Sequence, residues 1–283
     1  MTTTRRLRNP APSTVSAILR SAAPRAEPLG RRLRQLLESR LTEVLPTLHG
    51  VRHRIDGFTV ERDGPGFTTP FAWNARAARR AIGSAAARSV TAGTESDAMT
   101  AARAEIDRLC DRALRGLVRR GSLGAWLSGE PEAARALCAV EAATWASGLL
   151  HLVEHDGGGV SLGVADAWFD VPGIGLTLHG RRDAVAQSTS QSGGERLGVL
   201  RLRDGIPGAR ATDGLVVDAL VDALSAPQRP LPARVIGAWP DAGMCLVVEV
   251  DDEAMRHAAR VVVACAQRLA EHTEAIAIQP VAA

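Results

Sequence analysis

The segment IGLTLHGRRDAV, Ile174–Val185, decides how the chain is read. Leu176 and Leu178 alternate with Thr177 and His179, the period of a half-buried strand. The run before it, VSLGVADAWFDV (Val160–Val171), and the run after it, RLGVLRLRD (Arg196–Asp204), are also strand-like. Pro172-Gly173 and the polar stretch Ser188–Gly194 separate the three, so three consecutive antiparallel strands are predicted. In the third, Arg201 and Arg203 stand two apart and share one side of the strand.

Working outward, a helix is predicted over Gly214–Ser225, strands in ARVIGAW (Ala233–Trp239) and GMCLVVEV (Gly243–Val250), and a last helix from Asp252 to about His272. Met255, Ala259, Val262, Val263, Ala266 and Leu269 give that helix a core-facing stripe. Upstream, Asn74–Leu150 is helical in character, and VRHRIDGFTVERDGPG (Val51–Gly66) alternates like a hairpin closing near Asp56-Gly57. Leu29–Leu48 reads as an amphipathic helix. The predicted organisation is a flexible basic arm (1–28), an N-terminal helix and hairpin (29–73), a main domain (74–276) and a tail (277–283). Helices, three strands, helix, strands, helix is the order of an α+β (mixed α/β) fold, a central mixed sheet flanked by helices with an N-terminal helical region.

Composition narrows the chemistry. The chain has 283 residues, 46% of them hydrophobic, enough for a sizeable core. It contains no lysine, so all 34 cationic side chains are arginine. No P-loop lysine, Schiff base or lysine acid is available. Net charge is +3, and nine arginines fall in the first 40 residues against Glu27 and Glu38, a segment that suits a polyanion such as nucleic acid. No apolar run reaches the roughly 18 residues of a membrane span, and MTTTRRLRNPAPS lacks the apolar core of a secretory signal. The four cysteines form no CxxC pair and are expected as reduced thiols. A cytoplasmic protein with no membrane partner is expected.

Gly180–Val185, Val199–Gly205 and Asp218–Asp222, in that order, resemble the RecB-like branch of the PD-(D/E)XK nuclease superfamily over residues 75–275. In that family a strand ends G-R-I-D-x-V with a metal-binding aspartate, a hairpin later carries V-V-D-x-K-T-G, and a helix carries Q-x-x-x-Y. The resemblance implies a restriction-endonuclease-like core and places Asp183 on the metal-binding aspartate. Arg201 then stands at the second carboxylate, Arg203 at the lysine, and Asp218 and Asp222 at the glutamine and tyrosine. The family's upstream histidine falls at Asp97. These sites hold Mg²⁺ on carboxylates to activate a water. An arginine in place of the acid swings the local charge by two units, when one unit pair at about 4 Å is worth roughly 4 kcal/mol at an effective dielectric near 20. Arg203 is also a poor general acid, because a guanidinium keeps its proton.

The expected function is therefore a DNA-binding, nuclease-fold protein without cleavage, serving as an accessory or subunit in repair, recombination or defence, with a helicase or other protein partner. Its degenerate site comprises Asp183, Arg201 and Arg203, with Asp183 paired to one of the arginines. Arg181, Arg182, Arg76, Arg79, Arg80 and Trp73 are the candidate nucleic-acid contacts. No cofactor is expected. One alternative is an active Mg²⁺-dependent nuclease holding metal on Asp183 and Asp218, with acids drawn from Asp204, Asp213, Asp222 or Glu195; another is a protein–protein scaffold. HLVEH (His151–His155) matches the H-x-x-E-H zinc-peptidase pattern, but three glycines follow and no third ligand helix does. Trp126, Trp145, Trp168 and Trp239 are expected in the core.

Overall fold

The computed structural model describes residues 4–11, 14–15, 17–18, 31–44, 53–61, 73–152, 160–171, 175–187, 196–226 and 231–278. The chain divides into two compact units, one of residues 1–10, 17–70 and 165–283, the other of 11–16 and 71–164. These boundaries cut through the expected domain 74–276.

The first unit is built on a mixed sheet. Its path runs β1 (Thr4–Arg8), β7 (Met244–Glu249), β6 (Arg234–Trp239), β5 (Arg196–Leu202), β4 (Leu176–Gln187), β2 (His53–Asp56), with β3 (Val160–Val171) also pairing β4. The pairs β1–β7, β4–β5 and β6–β7 are antiparallel, whereas β2–β4 and β5–β6 are parallel. A parallel pair needs a crossover, and α7 (Ala211–Ser225) supplies the one between β5 and β6. From Gly214 to Leu224 every residue of α7 is buried. A helix apolar nearly all round is a core helix, and in that stretch the only charged residues are Asp218 and Asp222, one turn apart. Fully buried leucines and valines of this layer, among them Leu178, Leu215, Leu220 and Val221, contribute about 1.5–3 kcal/mol each.

Two glycines let backbones approach. A Cβ on Gly180 would sit 3.1 Å from the Asp218 carbonyl oxygen and from Val221 Cβ, so the glycine of the GRRD stretch seats β4 against α7. A Cβ on Gly57 would collide with the Gly214 carbonyl oxygen, which fixes the short helix α2 (Gly57–Glu61) onto the start of α7. The long helices α1 (Arg31–Val44) and α8 (Asp252–Ile278) belong to the same unit. Within the second unit α3 (Ala75–Thr91), α4 (Ala98–Leu114) and α6 (Glu132–Leu152) pack mutually, with α5 (Leu123–Gly129) on α4. Asn74, Asp97 and Ser122 cap α3, α4 and α5 by accepting backbone N–H bonds.

Two expectations are corrected. Thr4–Arg8, expected in a flexible arm, form an edge strand against β7; pairing with a formed edge outweighs a composition that carries little strand signal. The hairpin over 51–66 is replaced by β2, which pairs in parallel with β4, followed at once by α2. Asp56 is the reason: its Oδ1 accepts from Thr59 N at 2.7 Å and Thr59 Oγ1 at 2.9 Å, a helix cap in place of a hairpin turn. The last helix reaches Ile278, beyond His272. Among the described residues no helix is long and apolar enough to cross a membrane.

Candidate functional site

Arg201 on β5 and Arg203 just past its end converge on one carboxylate of α7. Arg203 Nη2 donates to Asp218 Oδ2 at 2.9 Å, and Arg201 Nε lies 2.9 Å from the same oxygen, off the line of a hydrogen bond. Arg203 Nε is also 3.6 Å from Glu61 Oε2 on α2. One turn along α7, Asp222 Oδ1 accepts from Arg182 Nη1 at 2.6 Å. Asp183 is held differently: Oδ2 accepts the Leu202 N–H at 2.9 Å, and Oδ1 lies 3.4 Å from Arg181 Nε. The expected pairing of Asp183 with Arg201 or Arg203 is thus replaced by pairing of both with Asp218. A backbone amide holds one oxygen of Asp183, while the carboxylate of the buried helix draws the cations.

All of this lies out of water. Asp183, Arg201, Arg203 and Asp218 are 2%, 5%, 3% and 4% exposed. Arg181, Arg182, Arg201 and Arg203 face Asp183, Asp222, Asp218 and Glu61, four cations against four carboxylates. Burial pushes the Asp218 carboxyl up and the Arg201 guanidinium down, and each offsets the other by its charge. A guanidinium does not lose its proton in a protein, so Arg201 stays a cation beside Asp218. Asp218 Oδ1, Arg201 Nη1, Arg203 Nη1 and Arg181 Nη2 find no hydrogen-bond partner among the described residues. The cavity bounded by Gly180, Arg181, Arg182, Asp218 and Asp222 measures about 10 Å³, room for roughly one water.

Those dimensions do not fit Mg²⁺. The ion wants octahedral oxygen ligands and keeps several waters, yet Asp218 Oδ2 already faces two guanidiniums, Asp183 Oδ2 holds the Leu202 N–H, and Asp183 Oδ1 has the Arg181 guanidinium at 3.4 Å. Among the described residues no group of three or more His, Cys, Asp or Glu side chains is arranged to hold a metal. Of the other acids, Asp213 meets His257 Nε2 at 2.7 Å, Asp204 is half-buried after β5, and Glu195 lies outside the described residues.

A second cluster, without a counterpart in the sequence reading, adjoins on β2, β3 and β4. His179 Nε2 lies 3.1 Å from Asp166 Oδ1, its Nδ1 lies 3.8 Å from Asp56 Oδ2, and its ring stacks on Trp168 at 4.0 Å. Burial lowers the His179 pKa, but hydrogen bonds and charge from the two carboxylates more than reverse this, leaving it raised. Burial would raise Asp56; bonds from His179 and Thr59 and the Arg54 and His179 charges hold it well below the usual carboxylate range. The signal available was the D-x-x-T cap at Asp56–Thr59, which shares its Asp-Gly with a hairpin turn.

The remaining predicted residues are dispersed. Arg181 and Arg182 keep 15% side-chain exposure each and are committed to Asp183 and Asp222. Trp73, Arg76, Arg79 and Arg80 belong to the second unit, half-buried at the start of α3. Asp97 caps α4, and hydrogen bonds led by Thr100 N–H lower its pKa to about 2. His151 is exposed at the end of α6, and Glu154 and His155 lie outside the described residues. Trp145 and Trp239 are core residues, whereas Trp168 is 47% exposed, contrary to expectation. The four cysteines are free thiols, and burial pushes Cys245 up to about 11. No family model matches the chain, and neither a curated protein nor a solved structure does.

Proposed function

We propose that the chain binds DNA on a RecB-like nuclease scaffold whose catalytic pocket has become a structural ion network without cleavage. The reading draws support from order: GRRDAV lies on β4, Arg201 on its antiparallel neighbour β5 with Arg203 just past that strand's end, and Asp218 and Asp222 on the crossover helix α7. The observation that carries it is the convergence of Arg201 and Arg203, at the positions of the second acid and the lysine, on Asp218 Oδ2. Hydrolysis needs carboxylates free to hold a cation and a group able to give up a proton. This pocket offers carboxylates already neutralised and guanidiniums that stay protonated. Contact with DNA falls to arginines in water, such as Arg5, Arg6 and Arg8 on the edge strand β1. A chain of this kind serves as a DNA-binding subunit of a repair, recombination or defence assembly.

The test is cleavage of end-labelled single-stranded and duplex DNA in Mg²⁺ or Mn²⁺, beside binding measured across salt. The expected result is no metal-dependent cleavage above an Asp183→Ala control, and an affinity that falls steeply as salt rises. Cleavage abolished by Asp183→Ala overturns the inactive reading. Absence of salt-dependent binding overturns the DNA reading and leaves a scaffold.

A further inference from the structure

In the first unit α1 and α8 leave an open groove of about 310 Å³ between them, the lower end of the size of small-molecule sites. Its walls are Leu33, Leu36 and Leu37 of α1 and Ala259, Val263 and Ala264 of α8. Leu36 is 55% exposed here, although the neighbouring Leu37 is 1% exposed. Arg40, Arg256 and Arg260 stand at the same groove with side chains 64%, 57% and 61% exposed. Arg40 is 3.1 Å from Glu43, Arg260 2.8 Å from Glu253, and Arg256 3.7 Å from the same Glu253. Among the described residues these three cations pair with two carboxylates, Glu43 and Glu253.

We propose that this groove binds an aliphatic carboxylate, its chain along the leucine and valine walls and its head group among the three guanidiniums. A purely apolar ligand would waste the rim, and a polar anion would waste the walls. Exposed ion pairs contribute little, so an arginine exchanges Glu43 or Glu253 for a ligand carboxylate at small cost. Its planar fork then receives that carboxylate through two parallel hydrogen bonds. The proposal is independent of DNA binding.

The experiment is calorimetric titration of the full chain with sodium dodecanoate below its micelle threshold, beside octanoate and dodecyltrimethylammonium. Saturable one-to-one dodecanoate binding is expected, weakening about fourfold per methylene removed, with the cationic amphiphile far weaker. Leu36→Glu, and separately Arg256→Glu with Arg260→Glu, should each cost about tenfold or more in affinity. All three residues are exposed, so unfolding midpoints should not move. Absent saturation, equal binding of the cationic amphiphile, or unchanged affinity in both variants overturns the proposal. A change of oligomeric state on Leu36→Glu also overturns it, because the groove is then a contact between copies or with a protein helix.

Discussion

Arginine does two different jobs, seen in a pocket of the first unit and on a surface of the second. Against α7, Arg181, Arg182, Arg201 and Arg203 are withdrawn from water and matched one for one by carboxylates. At the end of α4 and in the turn that follows it, Arg112, Arg115, Arg119 and Arg120 are all exposed, with only Arg115 near a described acid, Asp111 at 3.8 Å. The side chain is the same and its electrostatic role is not. In the pocket a guanidinium neutralises a helix buried with two aspartates; on the surface it is a hydrated cation open to a polyanion. A basic composition therefore says little about binding until burial separates the two populations.

The largest expected effect breaks the buried population. Asp218→Ala strands Arg201 and Arg203 without their shared counter-charge and should cost about 3–5 kcal/mol in urea unfolding, a large share of the roughly 5–15 kcal/mol that holds a typical domain. If the network is structural, removing the charges of Asp218 and its immediate partners together should recover most of that loss. The combination Asp218→Leu, Arg201→Met, Arg203→Met and Glu61→Gln makes this check, since apolar replacement of a buried ion cluster is often neutral or better. A combined variant that folds well but loses DNA affinity would move the pocket back among the functional surfaces.

A smaller effect sets two histidines of the β2–β4 pair against each other. His179, held between Asp56 and Asp166, has a folded-state pKa above its ordinary 6.5. Its stabilisation is present in full below that pH and is lost as pH rises through the folded value. His53 is 2% exposed, its ring nitrogens find no hydrogen-bond partner among the described residues, and burial lowers its pKa. Its neutral form fits, so that stability is present above pH 6.5 and is lost as pH falls below it. Unfolding midpoints from pH 5 to 9 should show His179→Gln closing on the wild type toward alkaline pH and His53→Leu gaining on it toward acid. Parallel curves for either variant would remove that histidine from the account.

How far the sequence could be read follows from what each element depends on. The strands β4 and β5, the crossover helix α7 and the last helix were legible because their periods are local and turn residues bound them. β1 was not, since TRRLR becomes a strand only against β7. Asp56-Gly57 carries a hairpin signal and a cap signal at once, and only the sheet edge on β4 selects between them. Within the site, the two-residue spacing of Arg201 and Arg203 was legible, and both approach Asp218, although β5 itself ends at Leu202. Which acid takes which arginine was not legible. It depends on how closely Gly180 lets α7 approach, a distance that no local pattern encodes.

The smallest effect on stability is the sharpest on the comparison. Substituting Arg112, Arg115, Arg119 and Arg120 by glutamine should leave the unfolding free energy within about 0.5 kcal/mol per site, because none is buried. A helix C-terminus favours cations for its own sake, so exposure at the end of α4 does not by itself assign them to DNA. The salt dependence of binding does. Each arginine that ceases to neutralise a phosphate should lower the slope of log K against log salt by about 0.9 for duplex DNA. A fall of several units places the DNA on the helical unit. An unchanged slope shifts it to Arg5, Arg6 and Arg8 on β1, whose replacement should then produce the fall. If neither set moves the slope while binding persists, the division between buried and exposed arginines fails as a guide to where this protein meets nucleic acid.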